Sequence, residues 1–264
     1  MVSGSGRLWC LGLAAVALAA PASAAPPDPQ ALAPNYPVEI EDALPVPLGA
    51  FTVQLDQRLT RDRTGGTTAD LGQPEAVLKL GAAKGLQLDL SSSYSYGSAD
   101  QVDNGFATVD ALYQATTDHG LVPDLAVHAY YQAGYGHGGP SDQTVLRGLA
   151  TKRLGADDQA PRLHLNLTWT HVLTPGATSR DDQYSVGVGY SMLLLRDTAL
   201  VVDYVHSQGA DRHTPFDNLV DLGVIHQFSS AWSVAAGAGG GVSASSPEGR
   251  VFVGLQRSFK LFGS

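Results

Sequence analysis

Very little in this chain could build a membrane-crossing helix or a disulfide. Its 264 residues include one cysteine, Cys10, and two methionines. Beyond the first two dozen residues no apolar run approaches the roughly 20 residues that a spanning helix needs. Blocks of helix-favouring residues with a 3.6-residue period are nearly missing, which argues against a helical bundle. Positive charge is also scarce, with 16 Lys and Arg against 25 Asp and Glu. A nucleic-acid partner needs a clustered basic footprint, so none is expected. Aromatic residues are only 8% of the chain, and tyrosine is the commonest of them.

The start of the chain reads as an address. Arg7 supplies a positive region, residues 11–20 are apolar, and Ala22-Ser23-Ala24 offers an A-x-A cleavage site after Pro21. Residues 1–24 are therefore expected to be a signal peptide, cut between Ala24 and Ala25. The apolar stretch is too short to anchor the chain as a helix, and the residues before Cys10 do not form a lipobox. Losing Arg7 with the leader takes the formal charge from −9 to −10. Cleavage also removes the only thiol, which suits an oxidising compartment.

Residues 25–48 carry Pro26, Pro27, Pro29, Pro34, Pro37, Pro45 and Pro47 around the acidic run Glu39-Ile40-Glu41-Asp42. Proline cannot donate to a sheet ladder, so this segment is expected to be an extended periplasmic lead-in.

From residue 49 onward, period-two alternation dominates. Leu86, Leu88 and Leu90 alternate with Gln87, Asp89 and Ser91, and that apolar face ends in Tyr94 and Tyr96. Leu163, Leu165, Leu167 and Trp169 oppose His164, Asn166, Thr168 and Thr170; Tyr184, Val186, Val188 and Tyr190 oppose Ser185, Gly187, Gly189 and Ser191. Such alternation places each set on one side of a sheet. A soluble sandwich would show it too, and three further features decide. Several apolar faces end in Tyr, Trp or Phe, as an interfacial girdle requires. The opposite face repeatedly carries Asp, Arg, His and Gln, which suits a wet lumen. Tight connections near 83–85 and 229–231 contrast with longer polar ones over 61–70, 136–142, 174–182 and 208–217, as in barrels with short periplasmic turns and longer outer loops.

The expected fold is thus all-β, a single antiparallel transmembrane β-barrel spanning residues 49–264. About twelve strands fit, since 216 residues allow 18 for each strand with its connection. Segments around 76–82, 144–152 and 232–242 are weakly patterned. Closure is demanded, because backbone groups facing lipid have no water partner. Residues 249–259 alternate and end in Phe259, like an outer-membrane assembly signal, although five residues follow; either Phe262 closes the girdle or the tail frays.

The run Tyr36-Pro37-Val38-Glu39-Ile40-Glu41-Asp42-Ala43 resembles the start of the outer-membrane β-barrels grouped with the MetA pathway of phenol degradation. Similar too are Asp197-Thr198-Ala199-Leu200-Val201-Val202-Asp203, Asn218-Leu219-Val220-Asp221-Leu222-Gly223 with His226-Gln227, and Arg250-Val251-Phe252-Val253-Gly254-Leu255-Gln256-Arg257-Ser258-Phe259. The resemblance implies an outer-membrane barrel that helps hydrophobic aromatic compounds enter the cell. It assigns no binding residue.

Residues expected to line the lumen are Gln54, Asp56, Arg58, Gln87, Asp89, Asp110, His128, Gln132, His164, Asn166, Asp203, Asp221, Arg250 and Gln256. Acids outnumber bases among them, so an open pore would weakly prefer cations; equally, these side chains could pair across the lumen and plug it. A passive channel or uptake protein for small solutes is the first reading, and a structural, plugged barrel the second. A barrel-bound hydrolase is a distant third, because no histidine is followed two residues later by the serine that outer-membrane phospholipases place there. Asp181, Asp182, Asp211, Arg212, His213 and Asp217 are better read as solvated loop residues than as an acid–base cluster. No cofactor is expected. No metal is expected either, since neither His128 with His164 nor His206 with His226 has local ligand spacing. The glycines of 237–241 precede no helix and form no phosphate loop. Expected partners are outer-membrane lipid, the barrel-assembly machinery and a small-molecule solute.

Overall fold

The computed structural model describes residues 28–64, 67–99 and 102–262; the expected leader lies outside them. Twelve strands follow one another: β1 Ala50–Thr64, β2 Thr67–Ala83, β3 Leu86–Gly97, β4 Asn104–Thr116, β5 Asp124–Gly136, β6 Gln143–Arg153, β7 Arg162–Val172, β8 Asp182–Leu195, β9 Thr198–Ser207, β10 Asp217–Gln227, β11 Trp232–Gly241 and β12 Gly249–Lys260. Each pairs antiparallel with its neighbours in sequence, and β1 pairs with β12, so the sheet closes into a barrel.

Alternation sorts the side chains as the pattern requires. Leu88, Leu90, Val109, Val127, Leu167, Val188, Leu222 and Val251 are exposed on the outer surface. Tyr94, Tyr131, Tyr184, Tyr204 and Trp169 ring this apolar belt towards the end opposite the chain termini, and Phe51, Tyr113, Trp232 and Phe259 lie towards the terminal end. In water such a belt would be untenable, whereas in hydrocarbon it is what a spanning barrel presents.

Two details of the connections differ from expectation. The polar stretch 61–70 is mostly strand: Arg61 stands in register with Asp70 and bonds it twice, at 2.8 and 3.2 Å. Polar residues there mark strands extending past the apolar belt, where cross-strand ion pairs replace apolar contacts. Turn length does not alternate strictly either, since 117–123 and 154–161, at the terminal end, are as long as several opposite-end loops. Asp118 organises that terminal end, with Lys152 Nζ at 2.5 Å and the Arg153 N–H at 2.8 Å. Burial works to raise the Asp118 pKa, but those contacts and the nearby Arg153 side chain hold it below the ordinary value.

The weakly patterned segments are β2, β6 and β11. β11 is patterned poorly because glycine and alanine fill both of its faces. After Phe259 the ladder runs on, with Leu261 N–H donating to the Gly49 carbonyl at 2.8 Å, and Phe262 remains half exposed beside Gly49.

Val188 faces outward near the middle of β8. Val188→Arg should cost about 2–4 kcal/mol of folding free energy in lipid, measured by urea titration in vesicles; an unchanged midpoint would refute the outward register.

Candidate functional site

The proline-rich segment does not hang below the barrel. It enters from the terminal end, rises to mid-height and returns to β1, and it contributes several of the most buried side chains among the described residues. Tyr36, Val38, Ile40 and Ala43 are all at most 2% exposed. The expectation of an external lead-in is therefore corrected, and the reason is backbone accounting. A buried segment without a ladder partner must satisfy each N–H some other way. Its own Asp42 accepts from the Leu32 and Leu44 amides, and the barrel wall supplies acceptors for others. Asp203 Oδ2 accepts from the Glu39 and Ile40 amides at 2.9 and 3.0 Å, and Asn166 Oδ1 from Glu41 at 2.8 Å. Thr151 Oγ1 accepts from Ala43 at 3.0 Å, and Gln87 Oε1 from Val46 at 2.7 Å. Pro34, Pro37, Pro45 and Pro47 have no N–H to satisfy. The prolines that argue against a sheet strand therefore suit an irregular segment threaded through a lumen.

Steric fit comes from missing side chains. A Cβ on Gly189 would lie 2.0 Å from Ile40 Cδ1, and one on Gly223 would lie 2.4 Å from Pro37 Cγ. Both glycines sit on the inner face, where the segment presses against the wall. Around it Leu32, Ala33, Tyr36, Val38 and Ile40 cluster with Val201, Ile225 and Ala235. The Tyr36 hydroxyl also lies 2.8 Å from Ser233 Oγ.

Two acidic side chains of the segment dock on basic groups of the barrel. Glu39 Oε1 accepts from Arg58 and Arg250, each at 2.8 Å, and Arg250 also bonds Asp221 through Nε, at 2.7 Å, and Nη2. Glu41 Oε1 lies 2.8 Å from His128 Nδ1, while Oε2 accepts from Tyr130 at 3.0 Å and Arg147 at 3.1 Å. His128 Nε2 in turn lies 2.7 Å from Asp110.

All fourteen residues expected at the lumen lie on the inner face. Arg58, Gln87, His128, Asn166, Asp203 and Arg250 bond the inserted segment directly. Asp110 and Asp221 hold two of these from behind. Gln54, Asp56, Asp89 and Gln132 face a cavity. His164 is tied to Ser191 and Thr151 at 3.0 and 3.2 Å, and Gln256 is half-buried. Sequence reasoning missed Glu39, Glu41, Asn35, Glu75, Lys79, Tyr130 and Arg147. The first three belong to the segment placed outside, and Glu75, Lys79 and Arg147 to the weakly patterned β2 and β6. Tyr130 showed its signal, lying on the same face of β5 as His128. The loop group resolves into surface pairs, Arg212 with Asp181 and His171 with Asp182, each at 3.0 Å. The glycines at 237–241 lie at the end of strand β11.

Two cavities flank the segment. One, of about 290 Å3, lies between the segment and β1–β6, with Asp110, His128 and Arg147 on its wall. The other, of about 570 Å3, opens at the terminal end beside Gln114, Asp124 and Arg153. Between the two sets stand Leu112 on β4, Ala126 on β5 and Leu149 on β6, packed with Ala43 of the segment into a fully buried apolar layer; on β6 the buried Thr151 also lies between them and accepts from the Ala43 amide.

Among solved structures, the fold is similar to an outer-membrane channel from Pseudomonas putida F1, with a TM-score of 0.61 and 14% identity over 84% of this chain and 100% of that one. It is similar also to the NanC porin (TM-score 0.53, 12% identity, 78% of this chain and 100% of that one) and the KdgM porin (TM-score 0.51, 15%, 79% and 99%). At such identities the likeness is one of fold. No family model and no curated protein matches the chain.

Gly189→Val should push Ile40 off the wall and expose residues 28–48 to added protease while the barrel stays intact, read by limited proteolysis in detergent; a segment as resistant as in the wild type would contradict the close fit. Arg250→Met leaves Asp221, 0% exposed, without its cation and should cost about 3–5 kcal/mol in urea unfolding.

Proposed function

We propose that the protein is an outer-membrane channel for small solutes, single-ring aromatic compounds among them, held closed by its own N-terminal segment. The carrying observation is the single layer formed by Ala43 with Leu112, Ala126 and Leu149 between two cavities. Three of these residues belong to the barrel. Ala43 belongs to a segment held by side-chain contacts rather than by the sheet, so a modest shift of that segment joins the cavities. The apolar outer belt and the similarity to outer-membrane channels and porins support the location. The terminal strand β12, with its alternating face and Phe259, supports recognition by the assembly machinery.

The resemblance to barrels of phenol degradation suggests aromatic solutes, and the cavity size supports it. A dry engineered cavity of roughly 150 Å3 accepts benzene, so about 290 Å3 holds a substituted single ring. Its walls are polar, which favours a hydroxylated ring over a hydrocarbon. Six carboxylates on that wall, Glu39, Glu41, Asp56, Glu75, Asp89 and Asp110, outnumber Arg58, Lys79 and Arg147, so an opened path should favour cations.

The test is single-channel conductance in planar bilayers of the wild type and of Asp203→Ala, which loses the acceptor of the Glu39 and Ile40 amides. The wild type should open rarely and the variant often, with cation preference and block by added phenol. A folded, heat-modifiable barrel that stays silent in both forms would replace this reading with the structural, plugged one.

A further inference from the structure

The wall of the smaller cavity carries a cluster of side chains of which the docking of the segment uses only a part, His128 and the Asp110 behind it. Asp89 on β3 and Asp110 on β4 stand directly opposite each other, and like charges so placed destabilise a sheet unless something lies between them. Asp89 is 7% exposed; its Oδ2 accepts from Gln87 at 2.7 Å, and its Oδ1 has no hydrogen-bond partner. Lys79 faces Asp89 across the β2–β3 register without bonding it. The other cations of this wall are committed, Arg147 to Glu41 and Arg58 to Glu39 and Gln73. A buried carboxylate oxygen left without a donor is costly, and with the Lys79 charge opposite but not bonded to it, Oδ1 is free to take a cation of its own.

We propose that Asp89, Asp110 and His128 form a binding site for a divalent first-row transition-metal ion on the lumen wall. One donor atom from each lies within 4.8 Å of the others, so a small closing movement brings all three to the bonding distance of roughly 2.0–2.2 Å that such ions take with nitrogen and oxygen ligands. The ion replaces the contact between His128 Nε2 and Asp110. Imidazole with two carboxylates is a ligand set that suits zinc, manganese or iron rather than the all-oxygen set of calcium.

The imidazole is already oriented for this. Glu41 Oε1, 2.8 Å from Nδ1, is the outer carboxylate that fixes a ligand histidine and leaves Nε2 for the metal. The remaining coordination positions face the cavity, where water or a solute oxygen completes the shell. Because Glu41 belongs to the inserted segment, the ion steadies the same ring that seats the segment. The site stands whether or not solutes cross the barrel.

The experiment uses the mature barrel, refolded in detergent and stripped with chelator, with zinc chloride titrated by calorimetry and folding checked by heat modifiability. The wild type should bind one ion tightly, and Asp89→Asn and His128→Gln should each abolish that event. Glu41→Gln should weaken it about 10–100-fold, while His213→Ala, in a surface loop, should leave it intact. Manganese bound to the wild type gives an independent readout that needs no variant, since its electron spin echo should show coupling to one imidazole nitrogen. No tight binding by the folded wild type, binding that survives Asp89→Asn, or a manganese spectrum without nitrogen coupling would overturn the site.

Discussion

Twelve registered pairs join β1 to β12, from Ala50 against Lys260 to Arg61 against Gly249, and much of the molecule follows from that seam. In hydrocarbon every backbone N–H and C=O must find its partner within the protein, and closing the sheet achieves this without leaving an edge. Closure with twelve strands also fixes the width of the interior. Side chains alone can fill a barrel of about eight strands; a wider one needs another occupant or stays open. Residues 28–48 are that occupant.

The wall and the segment are complementary in two senses. Sterically, glycines of β8 and β10 make recesses for Ile40 and Pro37. Chemically, the wall offers acceptors where the segment has free amides and basic groups where it has carboxylates. Asp203, Asn166, Thr151 and Gln87 do for this segment what a neighbouring strand does for a strand of the sheet. Attachment by side chains differs from attachment by a ladder, because single contacts can break without tearing the sheet. Residues 28–48 are therefore attached to the sheet and are not part of it.

The barrel was legible in the sequence because lipid outside and water inside impose a strict period of two, as in Leu86 to Asp89 and Leu163 to Asn166. The inner set was legible for the same reason, since each candidate is fixed by parity with apolar neighbours. Residues 61–70 were misread because polarity outside the membrane belt no longer separates strand from loop. The segment 28–48 was misplaced for a deeper reason. Its prolines exclude a place in a sheet, and whether such a strand lies outside or inside is decided by acceptors more than a hundred residues away, such as Asn166 and Asp203. Local patterning carries no trace of them. The opposition of Asp89 and Asp110 was hidden in another way, because it depends on the register between two strands and not on either alone.

The distances along the chain between the segment and its seat have a temporal meaning. Glu39 meets Arg250, 211 positions later, and Tyr36 meets Ser233, 197 positions later. The loop-closure entropy of such contacts is repaid only when both ends are in place. Its recess cannot exist until β8 to β12 have been made and paired, although the segment itself is synthesised before any strand. Seating of Tyr36 and Glu39 is therefore among the last events of folding, and it can only follow the closing of the barrel around it.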